Sequence, residues 1–388
     1  MKKLIALFLA VTLTVSLVAC SSSEPENPAP ENSSEDAPAT EEAKDDTDSN
    51  DTTEAEDTSK PAETASFEGF EGPTEPAKHP DNLKVAFVPD SAALSGCIVP
   101  VEAMQEICDR YGYEYQVFDG EGTSEGCNAA IMNAISWGPD VICCVSVLAS
   151  GVQQALQAAK EAGIPVVSGS NGTDDPNPRI DVEYDFAYDI GPDYKGCGKA
   201  MAQWIYDNTE GSGKVVLYDC PGSYSVDYFY QGLVAGLDEL NVPYEKDTDF
   251  SFDQLGDELN RIVAGYLTNN PDTEFIYMPF DPAAVSLISG LETAGFDDVK
   301  VLGVLGNTEM CTLIGQGGIA AGTCAYDNVY LGYAQFDQAL RLLNGQELFV
   351  PHGENLPYAM IDATNLPAQG EAWTPDFEYK DAFYALWD

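Results

Sequence analysis

Twice along its length the chain alternates short β-branched runs with longer helical stretches. The first series runs "LKVAFVP", "VPVEAMQEICDRYG", "YEYQVFD", "SEGCNAAIMNAISWG", "PDVICCVSV", "SGVQQALQAAKEAG" and "IPVVSGS". The pattern then restarts with the helical "DYKGCGKAMAQWIYDNTEG" and the apolar "KVVLYDCPG". It continues through "SYSVDYFYQGLVAGLDELN", "YEKDTDFSF", "LGDELNRIVAGYLTNNP", "TEFIYMPFD" and "FDPAAVSLISGLETAGF" to "VKVLGVLGN". Apolar runs of strand length between helices with 3.6-residue periodicity predict parallel sheets with helices on both faces. The fold class is therefore α/β, with two doubly wound parallel-sheet lobes. Polar residues at the carboxyl ends of such strands are the candidate ligand groups.

The formal net charge is −48 over 388 residues. Nucleic acid needs clustered Lys and Arg, and an anionic membrane surface needs basic residues, so both are disfavoured as partners. An extracytoplasmic or halophilic protein fits this charge. The amino terminus, "MKK" and then "LIALFLAVTLTVSLVA", has the charged and apolar regions of a signal peptide. Leu17-Val18-Ala19-Cys20 resembles a bacterial lipobox, which implies cleavage before Cys20 and lipidation of its sulfur, with membrane attachment through the lipid. From Ser21 to about Asn82 the chain is acidic, poor in aromatics and rich in Ser, Thr, Pro and Ala, the composition of a disordered tether.

Ten cysteines are present, leaving nine once Cys20 is lipidated. Cys97 and Cys127 follow the first two strands and are a candidate pair. Cys143 and Cys144 read as buried small residues. With no CxxC and only His79 and His352, no metal site is expected. Enzyme motifs are likewise missing. No phosphate-binding glycine motif and no G-x-S-x-G elbow occurs, and Asp119, Glu121 and Glu125 make "DGEGTSEG" hostile to phosphate. The chain is read as a binding protein without a cofactor, not an enzyme.

From Lys84 to Glu347 the chain resembles the type 1 periplasmic binding proteins, in their ribose/galactose-type branch. The matching pieces are "GPDVI", "EAGIPVV", "PDYKGCGKAMAQWI", "YQGL", "FDPAAVSLISGLETAG" and "VLGVLGNTE". The resemblance implies a lipoprotein that binds a small solute between two lobes and delivers it to an ABC permease. It also implies interleaved lobes: 83–187 with 327–355, and 188–326 with 356–388, after a signal peptide (1–19) and a lipidated tether (20–82). Asp281 matches the family's acidic ligand position. Elsewhere the family's ligand residues are replaced, by Ser168 to Asn171, by Asp227, by Leu305 with Asn307 nearby, and by Tyr326. Leu94 to Cys97 stand where sugar binders carry stacking rings.

The expected ligand groups are Asp90, Ser91, Ser168, Ser170, Asn171, Tyr224, Asp227, Phe252, Asp281, Asn307 and Tyr326, with Asp119 and Asp253 as further acceptors. Carboxylates accept, while Ser, Asn and Tyr both donate and accept. No basic residue is placed to receive an anion. These groups point to a neutral, donor-rich sugar or polyol, with a cationic or nucleoside-like solute as the alternative. Presentation of the ligand to a receptor kinase is the alternative to transport. Asp281-Pro282 also reads as a helix cap followed by a first-turn proline.

Overall fold

The computed structural model describes residues 68–171, 183–209, 211–251 and 254–388. The first lobe's sheet is built from β1 (Lys84–Pro89), β2 (Glu114–Val117), β3 (Val141–Val145), β4 (Val166–Gly169) and β5 (Asp189–Ile190). The strands are all parallel, in the order β2-β1-β3-β4-β5. Helices α1 (Ser95–Tyr111), α2 (Ser124–Trp137) and α3 (Gln153–Ala162) connect them. Alternation along β1 decides which helices pack on which face. Val85 and Phe87 enter a core shared with α1, while Ala86 and Val88 enter the core against α2 and α3.

The second lobe repeats this scheme. Helix α4 (Tyr194–Thr209) leads into β6 (Val215–Asp219), α5 (Tyr224–Leu240), β7 (Tyr244–Asp249), α6 (Asp257–Asn269), β8 (Phe275–Tyr277), α7 (Asp281–Ala294) and β9 (Lys300–Leu305). Then come α8 (Thr308–Gln316), β10 (Ala320–Tyr326), α9 (Asn328–Leu343), β11 (Tyr358–Ile361) and α10 (Tyr379–Trp387). The sheet order is β11-β10-β9-β8-β6-β7, with β11 antiparallel to β10. Val215 and Leu217 face the core that includes α4 and α5, whereas Val216 and Tyr218 face α6 and α7. The lobes exchange elements, because α9 follows the second lobe's β10 yet packs on α1.

Four expectations need correction. Helix α1 begins at Ser95, not Val99, and takes Pro100 into its early turns. Residues 68–82, read as the end of a disordered tether, lie against the first lobe. Arg341 Nη2 donates to Glu75 O at 2.7 Å and Gln346 Nε2 to Pro76 O at 2.9 Å, while Phe70 packs edge-on to Phe383 at 5.2 Å. The carboxyl-terminal stretch, read as irregular and assigned to the second lobe, ends in α10, which belongs to the first. Trp387 Nε1 donates to Asp337 Oδ1 of α9 at 2.7 Å, and Arg110 of α1 pairs with Asp388 at 3.0 Å. The Cys97–Cys127 pair is not formed, and both are buried free thiols. Residues 1–67, including Cys20, and the pair Phe252 and Asp253 lie outside the described residues.

Asp327 ties the crossovers together. Its Oδ1 accepts from Val329 N (2.7 Å) and Tyr330 N (3.1 Å), capping α9. Its Oδ2 accepts from Tyr379 Oη (3.0 Å) and Thr374 Oγ1, in the segment that returns from β11 to α10. In that segment Trp373 N donates to Gly306 O at 3.0 Å, at the end of the second sheet. Asp327→Ala strands a buried tyrosine hydroxyl and two helix amides. We expect it to lower the unfolding free energy by about 2–4 kcal/mol in urea denaturation. Thr374→Val should cost about 1 kcal/mol. Equal, near-zero costs would contradict this role.

Candidate functional site

In an open parallel sheet, a crevice forms where successive connections leave in opposite directions. In the first sheet that point lies between β1 and β3, and in the second between β6 and β8. Asp90 directly follows β1, and Asp219 is the last residue of β6. Each lobe therefore places an aspartate at its own switch point. The lobes approach each other beside these points, since a Cβ at Gly96, in the first turn of α1, would lie 4.0 Å from the Leu305 side chain at the end of β9.

On the first lobe, Asp90 is half-buried and receives the Cys127 thiol at 3.2 Å. Burial raises its carboxyl above the ordinary value, the thiol opposes this, and the charge of Asp119 adds to it. Ser91 lies beside it, half-buried. Ser170 and Asn171 follow β4 and are 5% and 1% exposed. Asn171 Nδ2 donates to Val147 O at 2.7 Å, but among the described residues its Oδ1 and the Ser170 hydroxyl have no partner. Ser168 is fully buried within β4, and its hydroxyl is also unpartnered among the described residues. Buried polar atoms are nearly always satisfied, by the chain itself or by ordered water.

On the second lobe, Tyr224 and Asp227 stand half-buried in the first turn of α5. Burial raises the Asp227 carboxyl, and the nearby Asp219 raises it further. Asp219 is 5% exposed, and its Oδ1 has no partner among the described residues. Sequence reasoning missed it because "KVVLYDCPG" reads as strand throughout. The same reasoning also missed a lysine. Lys246 Nζ lies 3.4 Å from Asp219 Oδ2 and 2.6 Å from Asp249, over the Tyr230 ring at 5.0 Å. An ammonium does stand at this end of the sheet, neutralised by two carboxylates.

The remaining predicted groups make contacts within the second lobe. Asp281 does not cap its helix, since α7 starts with it and Phe280 takes the cap position without a side-chain bond. The carboxylate is fully buried, with Oδ2 accepting from Asn307 N at 2.9 Å and Oδ1 from Thr323 Oγ1 at 2.8 Å. Both oxygens accept from the chain itself, so the carboxylate forms a strut between β8, β9 and β10. Gly303 makes room for it, because a Cβ there would sit 2.2 Å from Asp281 Oδ1. Asn307 caps α8, accepting from Met310 N at 3.0 Å. Tyr326 is buried at the end of β10, edge-on to Tyr194 with ring centroids 5.8 Å apart.

The strut supports a strained turn. Leu305, just before Gly306, has φ of 127°, which costs a non-glycine residue on the order of 1–3 kcal/mol. Ser146 and Ser170, at the ends of β3 and β4, have φ of 61° and 68°. Such conformations persist only where their surroundings over-determine them, and these three stand at the ends of strands.

Burial pushes the Asp281 carboxyl up to about 7, against the hydrogen bonds that favour its charge. A raised carboxyl binds a proton in the folded state that the unfolded state has released. Its stability contribution is complete below pH 4 and is lost as pH rises through 7. Wild type should therefore gain roughly 3 kcal/mol over Asp281→Asn between pH 8 and pH 4 in chemical denaturation. A pH-independent difference would contradict the burial account.

Residues 85–347 match the periplasmic binding protein domain. No curated protein matches the chain in sequence. Among solved structures, the chain is similar to an ABC transporter solute-binding protein from Mycobacterium smegmatis with bound glycerol. The identity is 22%, with 76% of this chain and 100% of the other covered and a TM-score of 0.65. It is also similar to an ABC transporter periplasmic solute-binding protein from Actinobacillus succinogenes with bound D-allose (19% identity, 73% and 98% coverage, TM-score 0.62). A third is the Caulobacter myo-inositol binding protein (20% identity, 73% and 94% coverage, TM-score 0.62). The likenesses establish the type 1 fold that the strand orders describe, and by the match across both lobes the chain belongs to the periplasmic binding protein family.

Proposed function

We propose that this protein is a lipid-anchored, extracytoplasmic solute-binding protein of an ABC importer, and that it holds a small, donor-rich sugar or polyol between its lobes. The observation that carries this reading is the pair of aspartates at the two switch points, each with a hydrogen-bonding neighbourhood left open. Asp219 Oδ1, the Ser170 hydroxyl and Asn171 Oδ1 are buried without partners among the described residues. Hydroxyl groups of a polyol match them as donors to carboxylates and as acceptors from serine. Asp90, Asp119, Asp219 and Asp227 disfavour an anionic ligand by like-charge repulsion. Lys246, already neutralised, does not reverse that balance.

Support also comes from the family and from the sugars and polyols named with its structural relatives. Anchoring rests on the Leu17–Cys20 motif, and delivery to a permease on the family resemblance. A thermal-shift panel of glycerol, D-allose, myo-inositol and polyamines on the full chain tests the ligand class. A binder of the native state alone raises stability by RT ln(1 + [L]/Kd). We expect a sugar or polyol to raise the melting temperature, and Asp90→Asn or Asp219→Asn to weaken that solute about tenfold or more. Shifts from polyamines alone, or from none of the panel, would overturn this reading.

A further inference from the structure

We propose that Cys127 is a positioning residue: its thiol orients the Asp90 carboxylate for the solute. This rests on the reading of the switch-point crevice as a solute site. Cys127 lies in the first turn of α2 and is 1% exposed, with Sγ 3.2 Å from Asp90 Oδ1. Its next polar neighbours are the carbonyl oxygens of Asp90 and Gly120, each at 3.9 Å.

The surroundings leave the thiol little freedom. A Cβ at Gly120 would fall 2.5 Å from Sγ and 2.7 Å from Asp90 O, so glycine is what lets the thiol and the backbone of Asp90 meet. The start of α2 is held by Thr123 Oγ1, which accepts from Gly126 N at 3.0 Å. The backbone of Asp90 is held from both sides, since its N donates to Val145 O at 2.9 Å and its O accepts from Gly122 N at 2.7 Å. With the backbone fixed by β3 and by the turn before α2, the remaining freedom of Asp90 is its side-chain torsions. The thiol engages one oxygen and so selects among them.

The chemistry suits a carboxylate that must also serve a ligand. Burial and the charge of Asp90 raise the thiol well above its usual range, so at neutral pH it is an S–H donor and not a competing anion. An S–H is a weak donor, so it sets direction while leaving most of the oxygen's accepting capacity. The other titratable groups near Asp90 are Asp119, from the loop after β2, and Cys97 of α1, itself a raised, buried thiol.

The test is a carbon-13 NMR titration of the Asp90 carboxyl in the ligand-free full chain, assigned with Asp90→Asn. In Cys127→Ala the lost donor should raise the Asp90 midpoint by about 0.5–1 pH unit. In Cys127→Ser a hydroxyl donor should restore it to the wild-type value or below. An unchanged midpoint in a folded Cys127→Ala would overturn the proposal. If the alanine variant does not fold, a Cys127→Ser midpoint above wild type would do so. No solute enters the measurement, so failure of the sugar panel counts against the function proposed above and leaves this coupling separately decided.

Discussion

A parallel sheet opens a crevice only where its connections part to opposite sides, and the polar chemistry of both lobes is arranged around that constraint. The first sheet parts between β1 and β3, the second between β6 and β8. Helices cover both faces of each sheet and bury them in continuous apolar cores. A polar side chain gains access to a ligand mainly at the strand ends, and at the parting points it gains depth as well. Asp90 and Asp219 occupy these points in the two lobes.

Holding such groups open costs stability, and the fold supplies support beside them. Strained backbone at Ser146, Ser170 and Leu305 shapes the rims. Asp281 is the clearest support. It sits where a ligand group is expected, yet it joins the loop after β9 to β10 through Asn307 and Thr323. Burying a carboxylate in this way is costly unless its oxygens are satisfied, and here both are. Asp327 serves the crossovers as Asp281 serves the rim, capping α9 and receiving the returning carboxyl-terminal segment.

The βα alternation was legible because side-chain periodicity switches between two and 3.6 residues, a local property of the chain. Asp90, Ser170 and Asn171 were legible for the same reason, since a strand's end can be read from its run. What escaped depends on distant partners. Thr323 stands 42 residues from Asp281, so a carboxylate that reads locally as a helix cap is a strut in space. Helix α10 is short and follows a Pro-containing stretch, and its anchor Asp337 lies 50 residues earlier. The ordered path of residues 68–82 depends on Arg341 and Gln346, far along the chain. Lys246 lies mid-strand in "YEKDTDFSF", where an alternating charged run reads as an exposed edge.

The central claim is that the two switch points form one binding site. A crystal structure of the complex with the solute that the thermal panel selects tests it most directly. The account predicts that solute between the lobes, within hydrogen-bonding distance of Asp90 or Ser170 on one side and of Asp219 or Asp227 on the other. A solute held by one lobe alone would contradict it. So would one seated in the recess of about 430 Å³ beside Ile164, Tyr184 and Lys160, at the amino end of β4.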